Sequence, residues 1–207
     1  IEKISELTEE DAIIATEVGQ NQMWTAQFYK FTKPRTFLSS GGLGTMGYGF
    51  GASIGAKVAQ PNKQVFNISG DGCFHMNCNE LATAVKYNLP IRVVVLNNQV
   101  LGMVRQWQNL FYEKRYSSTT LDRATDIVKL AEAFGATGFN IIKNEEVEDI
   151  LKKAMKVEGP VVINCEIDRD EMVLPISTSW CKYADPGFWR HGYGLWRLGN
   201  RGGTVYA

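Results

Sequence analysis

The chain has 207 residues, of which 44% are hydrophobic and 21% are charged. This size and composition are typical of one large α/β domain with a full apolar core. The 22 Lys and Arg residues balance the 22 Asp and Glu residues, so composition gives no support for nucleic-acid binding, which needs a basic face. No run approaches the roughly 18 apolar residues of a membrane span, and residues 1–19 do not resemble a secretory signal.

The four cysteines are Cys73, Cys78, Cys165 and Cys181, and no two of them form a CxxC pair. Free thiols in a reducing cytosol are the expected state of such cysteines. We therefore expect a cytoplasmic protein.

Short apolar runs alternate with segments of helical character along the first half of the chain. The predicted elements are strand 12–16, helix 21–29, strand 36–38, helix 52–59, strand 64–69, a helix through Leu81, Ala84 and Val85 that ends before Pro90, and strand 91–96. Asn77 and Glu80 have the spacing of a capping box for that last helix. A glycine-dense segment, residues 41–51, precedes helix 52–59.

The second half repeats the alternation. Its predicted elements are a helix capped by Asp126 and ended by Gly135, strand 139–142, helix 145–157 and strand 161–167. Strands 64–69, 91–96 and 161–167 lack polar alternation, as expected when both faces of a sheet are covered. The pattern predicts an α/β fold with a parallel sheet and helices on both faces.

Two predicted strands end in polar sequences. Gly70-Asp71-Gly72 follows strand 64–69, and Asn97-Asn98 follows strand 91–96, which places Asn98 27 residues after Asp71. One βαβ unit can bring these residues to the same sheet edge, where ligands of such folds bind. A glycine turn before a helix favours a phosphate, whereas Asp71 would repel it. A Mg²⁺ ion between them removes this conflict, because it bridges protein oxygens to phosphates.

Other interpretations of these motifs stay open at this point. Each motif alone is also an ordinary turn sequence after a strand. Gly42-x-Gly44-x-x-Gly47 matches the dinucleotide fingerprint, with Asp71 at the end of the next strand as a ribose ligand of a nicotinamide-dependent dehydrogenase. That alternative leaves Gly70, Gly72 and Asn98 unexplained. A non-catalytic remnant that keeps only the fold is a further alternative.

The segment from Gly70 to Asn98 resembles the thiamine-diphosphate signature, which begins with GDG and ends with NN. Further segments, 18–24, 44–47, 101–108 and 168–175, are similar to acetolactate synthases, the thiamine-diphosphate enzymes that condense pyruvate with a second 2-keto acid. Segment 103–107 favours this family over pyruvate oxidase, benzoylformate decarboxylase and glyoxylate carboligase. The resemblance implies the diphosphate-binding domain of the catalytic subunit, in branched-chain amino-acid biosynthesis.

The resemblance also implies roles for particular residues. Mg²⁺ would be held by Asp71, Asn98 and the Val100 carbonyl. Met46 would wedge beneath the cofactor, and Trp107 would shape the pocket for the second keto acid. The residues expected around the cofactor are Gly19, Gln20, Asn21, Gly44, Met46, Gly70, Asp71, Gly72, Cys73, Met76, Asn98, Gly102 and Met103. Asn21 departs from the family, which usually carries His there.

The resemblance stops near residue 175. Residues 1–175 are predicted to form the cofactor-binding domain, and residues 176–207 an atypical tail that is divergent or non-native. The activating glutamate of the family lies on a separate pyrimidine-binding domain, so little synthase activity is expected of this chain alone. The family also implies a homodimer or tetramer, a regulatory subunit, and a flavin (FAD) held chiefly by a further domain.

Overall fold

The computed structural model describes residues 1–175 together with residues 196–197 and 204–205. Six strands form one sheet in the order β2-β1-β3-β4-β6-β5, and every neighbouring pair is parallel. The strands are β1 (Ile13–Thr16), β2 (Phe37–Ser39), β3 (Val65–Gly70), β4 (Ile91–Asn97), β5 (Thr137–Ile141) and β6 (Val161–Glu166). The predicted parallel α/β sheet is confirmed.

By its contacts the chain divides into Ile1–Met172 and Val173–Ala207. The second unit contains a short antiparallel pair, β7 (Trp196–Arg197) and β8 (Thr204–Val205). The rest of the predicted tail, including Cys181, lies outside the described residues, and its origin stays a prediction. Cys73, Cys78 and Cys165 form no disulfide.

Helices cover both faces of the sheet, as predicted. On one face lie α1 (Glu2–Leu7), α2 (Gln20–Phe28) and α8 (Val147–Met155), and on the other lie α3 (Tyr48–Ala59), α4 (Asp71–Asn77), α5 (Leu81–Lys86) and α7 (Ile127–Phe134). Alternate residues of β4 pack into the apolar clusters on opposite faces of the sheet. Val93 packs with Phe50 and Phe74 on one face, whereas Val94 packs with Leu151 on the other. The strands are therefore apolar without alternation because both of their faces are buried.

Two local predictions are corrected. Asn77 does not form a capping box with Glu80, because its Nδ2 donates instead to the carbonyl of Gly47. The helix predicted over 145–157 is a 3-10 turn, Asn144–Glu146, followed by the shorter α8. Three helices are not among the predicted elements: α1, α4 and α6 (Gly102–Phe111). No helix of the described residues is long and apolar enough to cross a membrane.

The strand order determines where a ligand site forms. From β1 the chain passes through α2 to β2, whereas from β3 it passes through α4 and α5, on the opposite face, to β4. The connections after β1 and β3 therefore diverge, which opens a crevice at the carboxyl ends of these two neighbouring strands. Gly70 pairs with Leu96, so the chain leaves β3 and β4 at the same level.

Candidate functional site

A cavity of about 210 Å³ lies at this crevice, and most of the residues predicted for a cofactor line it. The predicted residues among its walls are Gly19, Gln20, Asn21, Gly44, Met46, Gly70, Asp71, Gly72, Cys73, Asn98, Val100, Gly102 and Met103. They come from four separate segments, which the carboxyl edge of the sheet brings together.

Two predicted residues lie elsewhere. Met76 does not line this cavity, and 54% of its surface is exposed. Trp107 lies in an adjoining, more open cavity of about 720 Å³. Met103 and Val104 at the start of α6 line both cavities, so this helix forms the wall between them. The Nε1 of Trp107 is buried and has no hydrogen-bond partner among the described residues.

Asp71 is the first residue of α4 and is 4% exposed. Burial raises the pKa of its carboxyl group, while the backbone amides of Asp71 and Gly72 and the charges of His75 and Arg123 act in the opposite direction. An ionised Asp71 is therefore destabilised by the loss of water. A cation bound beside Asp71 would offset that cost.

Asn98 is held by hydrogen bonds on both sides of its amide. Its Nδ2 donates to Oε1 of Gln20 over 3.2 Å, and its Oδ1 accepts from the Val100 amide over 3.2 Å. An amide oxygen has two lone pairs, so Oδ1 retains one for a further partner. Together with the Asp71 carboxylate it forms a set of hard oxygen donors, which suits Mg²⁺.

Gln20 links Asn98 to the rest of the site wall. Its Nε2 donates to Oε1 of Gln106 over 3.0 Å and to the Glu171 carbonyl over 2.8 Å. The backbone of Gly102 passes directly against this pair, since an added Cβ would lie 1.9 Å from Oε1 of Gln20 and 2.8 Å from Nδ2 of Asn98. A side chain at Gly102 would therefore displace Gln20 from Asn98.

Asn21 leaves a polar atom unpaired at the cavity. Its Nδ2 donates to the Val18 carbonyl over 3.2 Å, but its buried Oδ1 has no hydrogen-bond partner among the described residues. A buried acceptor without a partner costs free energy. A ligand with a hydrogen-bond donor, or a bridging water, would satisfy it.

Sequence reasoning missed several cavity residues and one buried acid. Val18, Trp24, Leu96, Leu101 and Val104 also line the cavity. Their sequence signal is proximity to the motifs, since each lies within four residues of a predicted site residue.

The missed acid is Glu17, which is 1% exposed and follows β1 directly. Its two carboxylate oxygens accept from the amides of Gly47 and Phe50, over 2.7 and 3.0 Å. Burial raises the pKa of Glu17, against the lowering effect of these backbone hydrogen bonds. An acid immediately after a strand of apolar residues was the available signal.

Comparison with known families decides how this cavity is interpreted. Residues 17–165 match the family described as "Thiamine pyrophosphate enzyme, C-terminal TPP binding domain". The chain belongs to this family. The match begins at the residue after β1 and ends within β6, and it includes every segment that lines the cavity.

The relatives are acetolactate synthases. The chain is 48% identical over 181 residues to "Acetolactate synthase" of Mycobacterium bovis, covering 85% of this chain and 29% of the relative. It is 46% identical over 176 residues to "Acetolactate synthase isozyme 2 large subunit" of Escherichia coli, covering 85% and 32%. The same identity, length and share of this chain hold for "Acetolactate synthase catalytic subunit, mitochondrial" of Saccharomyces cerevisiae, with 26% of that protein covered. The chain thus spans about three tenths of the length of these relatives.

The residues present fit the family's cofactor. An acidic oxygen and an amide oxygen are available for a divalent cation, and Asn21 has an unpaired acceptor. Membership of this family also decides against the nicotinamide-dependent alternative. In agreement, an added Cβ on Gly42, the first glycine of that fingerprint, would meet nothing within 4 Å.

Proposed function

We propose that this chain provides the diphosphate- and Mg²⁺-binding half of the cofactor site in an acetolactate synthase catalytic subunit. The observation that carries the proposal is the meeting of Asp71 and Asn98 in one glycine-lined cavity at the sheet's carboxyl edge. The relatives named above support the synthase over other enzymes of the family.

The proposed roles are those that the family resemblance implies, and the residues that would carry them line one cavity. Asp71, Asn98 and the carbonyl of Val100 would hold Mg²⁺, and the amides of Gly72 and Cys73 would bind diphosphate oxygens. Gly19 and Gln20 would contact the same group from the β1 side. Met46 would support the cofactor from below. Gly44 would contact the aminopyrimidine ring.

Bound thiamine diphosphate would supply the electron sink that allows carbon dioxide to leave pyruvate and the remainder to join a second 2-keto acid. The chain's own contribution would be to orient the cofactor and to form part of the substrate pocket. Trp107, which lines the adjoining cavity, would contact the second keto acid.

A partner domain is part of the proposal. The cavity of about 210 Å³ is smaller than the roughly 300–1,000 Å³ of most complete small-molecule sites. Leu43, which is 94% exposed, directly precedes Gly44 in the chain. The exposed Met76 lies in α4, the helix that begins with Asp71. A pyrimidine-binding domain, supplied within a dimer or tetramer, would cover these side chains and complete the site.

Other features are proposed on the family resemblance alone. They are a flavin and a central domain in a longer protein, a regulatory subunit, a cytoplasmic location and a role in branched-chain amino-acid biosynthesis. A domain of a pyruvate oxidase or benzoylformate decarboxylase would bind the same cofactor. Acetolactate production by the 207-residue chain alone would contradict the proposed need for a partner domain.

Calorimetric titration of thiamine diphosphate tests the proposal. We expect heat of binding in the presence of Mg²⁺, none after chelation, and none for Asp71→Ala. The matched control is Asp126→Ala, which removes another carboxylate from a helix amino terminus, outside the cavity. Binding that is equal with and without Mg²⁺, or unchanged in Asp71→Ala, would overturn the assignment. Absence of binding even after a pyrimidine-binding domain from a relative is added would favour a non-catalytic remnant.

A further inference from the structure

The backbone of Gly47 is held on both sides by side chains from distant parts of the chain. Its N–H donates to Oε2 of Glu17 over 2.7 Å, and its carbonyl accepts from Nδ2 of Asn77. Each partner lies 30 residues away in the sequence. Gly47 has φ of 93°, a left-handed conformation that L side chains rarely adopt, and an added Cβ would lie 3.2 Å from Nδ2 of Asn77.

The two partners of Gly47 are anchored in regular structure. Glu17 continues β1, and its second oxygen accepts from the amide of Phe50 in the first turn of α3. Asn77 is the last residue of α4, the helix whose first residues line the cavity. The Sγ of Cys73 in α4 donates to the Val18 carbonyl over 3.1 Å, which connects α4 to the end of β1. The ends of β1 and α4 thus form one frame around Gly47.

Met46 is the residue next to this frame, and it is the one that reaches the cavity. Its Cε lies 3.7 Å from the position of a Cβ added to Gly72, next to Asp71. Glu17 and Asn77 do not line the cavity. The hydrogen bonds of these two side chains to Gly47 connect them to the cavity wall through the adjacent residue, Met46.

We propose that Glu17 and Asn77 act as positioning residues that clamp Gly47 and thereby fix Met46 in the cavity wall. The identity of the ligand, thiamine diphosphate, rests on the proposed function. The clamp itself rests only on the hydrogen bonds of Gly47. Because Met46 is one residue from the clamp, loss of either hydrogen bond releases the segment that carries it. The cavity then loses a preorganised wall, and a ligand that contacts Met46 has to order it on binding.

The clamp is tested first without any ligand. Glu17→Gln is isosteric but offers one acceptor oxygen where two amides need one each, and Asn77→Ala removes the donor to the Gly47 carbonyl. We expect amide hydrogen exchange at Gly47 to become about tenfold faster in Glu17→Gln, since one amide oxygen cannot replace the two acceptors of the carboxyl group. We also expect the ¹³C-methyl resonance of Met46 to shift or broaden in both variants.

The control for this first stage is Asp126→Asn, which alters the carboxylate cap of α7 and should leave both signals unchanged. Unchanged exchange in the amides of β3 and β4 verifies that the variants are folded. If Gly47 exchange stays at the wild-type rate in Glu17→Gln, and the Met46 resonance does not move in either variant, the clamp is overturned.

The second stage compares two ligands in the presence of Mg²⁺. The thioether of Met46 has no hydrogen-bond donor for a phosphate oxygen, so it should matter for thiamine diphosphate but not for inorganic pyrophosphate. For Asn77→Ala we expect about tenfold weaker binding of thiamine diphosphate and unchanged binding of pyrophosphate. Equal weakening of both ligands, or of neither, would overturn the link from the clamp to the ligand. If the wild-type chain binds neither, the proposed function fails, and the ligand-free exchange and methyl data still decide the clamp.

Discussion

Helices α3 and α7 lie on the same face of the sheet, but their amino termini are capped in different ways. α7 follows Asp126, whose Oδ1 accepts from the Lys129 amide over 3.0 Å, three residues along the chain. α3 follows Gly47, which has no side chain to cap the helix. The amides of Gly47 and Phe50 donate instead to the carboxyl group of Glu17, at the end of β1. One cap is local and exposed, whereas the other is distant and buried.

The two environments shift the pKa values of the two capping carboxyl groups in opposite directions. Hydrogen bonds to the Lys129 backbone and side chain lower the pKa of Asp126, and burial has a smaller effect. For Glu17 burial is the largest effect, and it raises the pKa. A local cap therefore stabilises its own helix at little desolvation cost. A distant cap carries that cost, but it also fixes a helix and its preceding loop against the sheet edge where the cavity lies.

Among the changes considered, removal of the two caps should produce the largest difference in the free energy of unfolding. Glu17→Ala leaves two buried amides without acceptors and is expected to lower the free energy of unfolding by about 3 kcal/mol, since each such donor costs ~1–3 kcal/mol. Asp126→Ala should cost clearly less, because water replaces the exposed carboxylate. Urea denaturation of both variants measures the difference. Equal losses would show that burial of the cap is not what matters.

Two glycines of α3 provide a second test of how closely this helix is held to β1. An added Cβ on Gly49 would lie 2.6 Å from the backbone of Thr16, whereas one on Gly51 would meet nothing within 4 Å. Gly49→Ala should therefore lower the free energy of unfolding by about 2 kcal/mol through overpacking. Gly51→Ala should raise it by about 0.5–1 kcal/mol through helix propensity. Thermal denaturation of the two variants measures both changes in the free energy of unfolding. Changes of the same sign would contradict the close approach of Gly49 to the backbone of Thr16.

The smallest expected effect is a difference in pH dependence between the two caps. Glu17 has a raised pKa, so its stabilisation relative to Glu17→Gln is fully present below its ordinary value of 4.5 and is lost as pH rises through the folded-state pKa. Asp126 has a lowered pKa, so its stabilisation relative to Asp126→Asn is present above 3.8 and is lost as pH falls through the folded-state pKa. Urea denaturation at several pH values should thus give slopes of opposite sign. If the stabilisation by Glu17 and the stabilisation by Asp126 changed with pH in the same direction, the opposite pKa shifts of the two groups would be contradicted.

Much of the site was predictable from the sequence because its elements are consecutive. Gly70-Asp71-Gly72 and Asn97-Asn98 flank one βαβ unit, and adjacent parallel strands joined in this way end at the same edge of a sheet. Thirteen predicted residues consequently line one cavity. Met76 was predicted for the same surroundings but lies outside that cavity, and Trp107, predicted for the pocket of the second keto acid, lines the adjoining cavity. The sequence did not indicate that residues of α6 would line two separate cavities.

The sequence by itself determined the features that depend on near neighbours. They include the apolar strands, the cap of α7 by Asp126 and its end at Gly135, which has φ of 91°. The tertiary structure decided the partners of Asn77, Glu17 and Gln20. Asn77 and Glu80 satisfy the spacing rule of a capping box, yet the Gly47 carbonyl is the partner that Asn77 takes. The physical reason is that spacing limits the partners only within about one helical turn, whereas a contact across 30 residues exists only after the strands have paired.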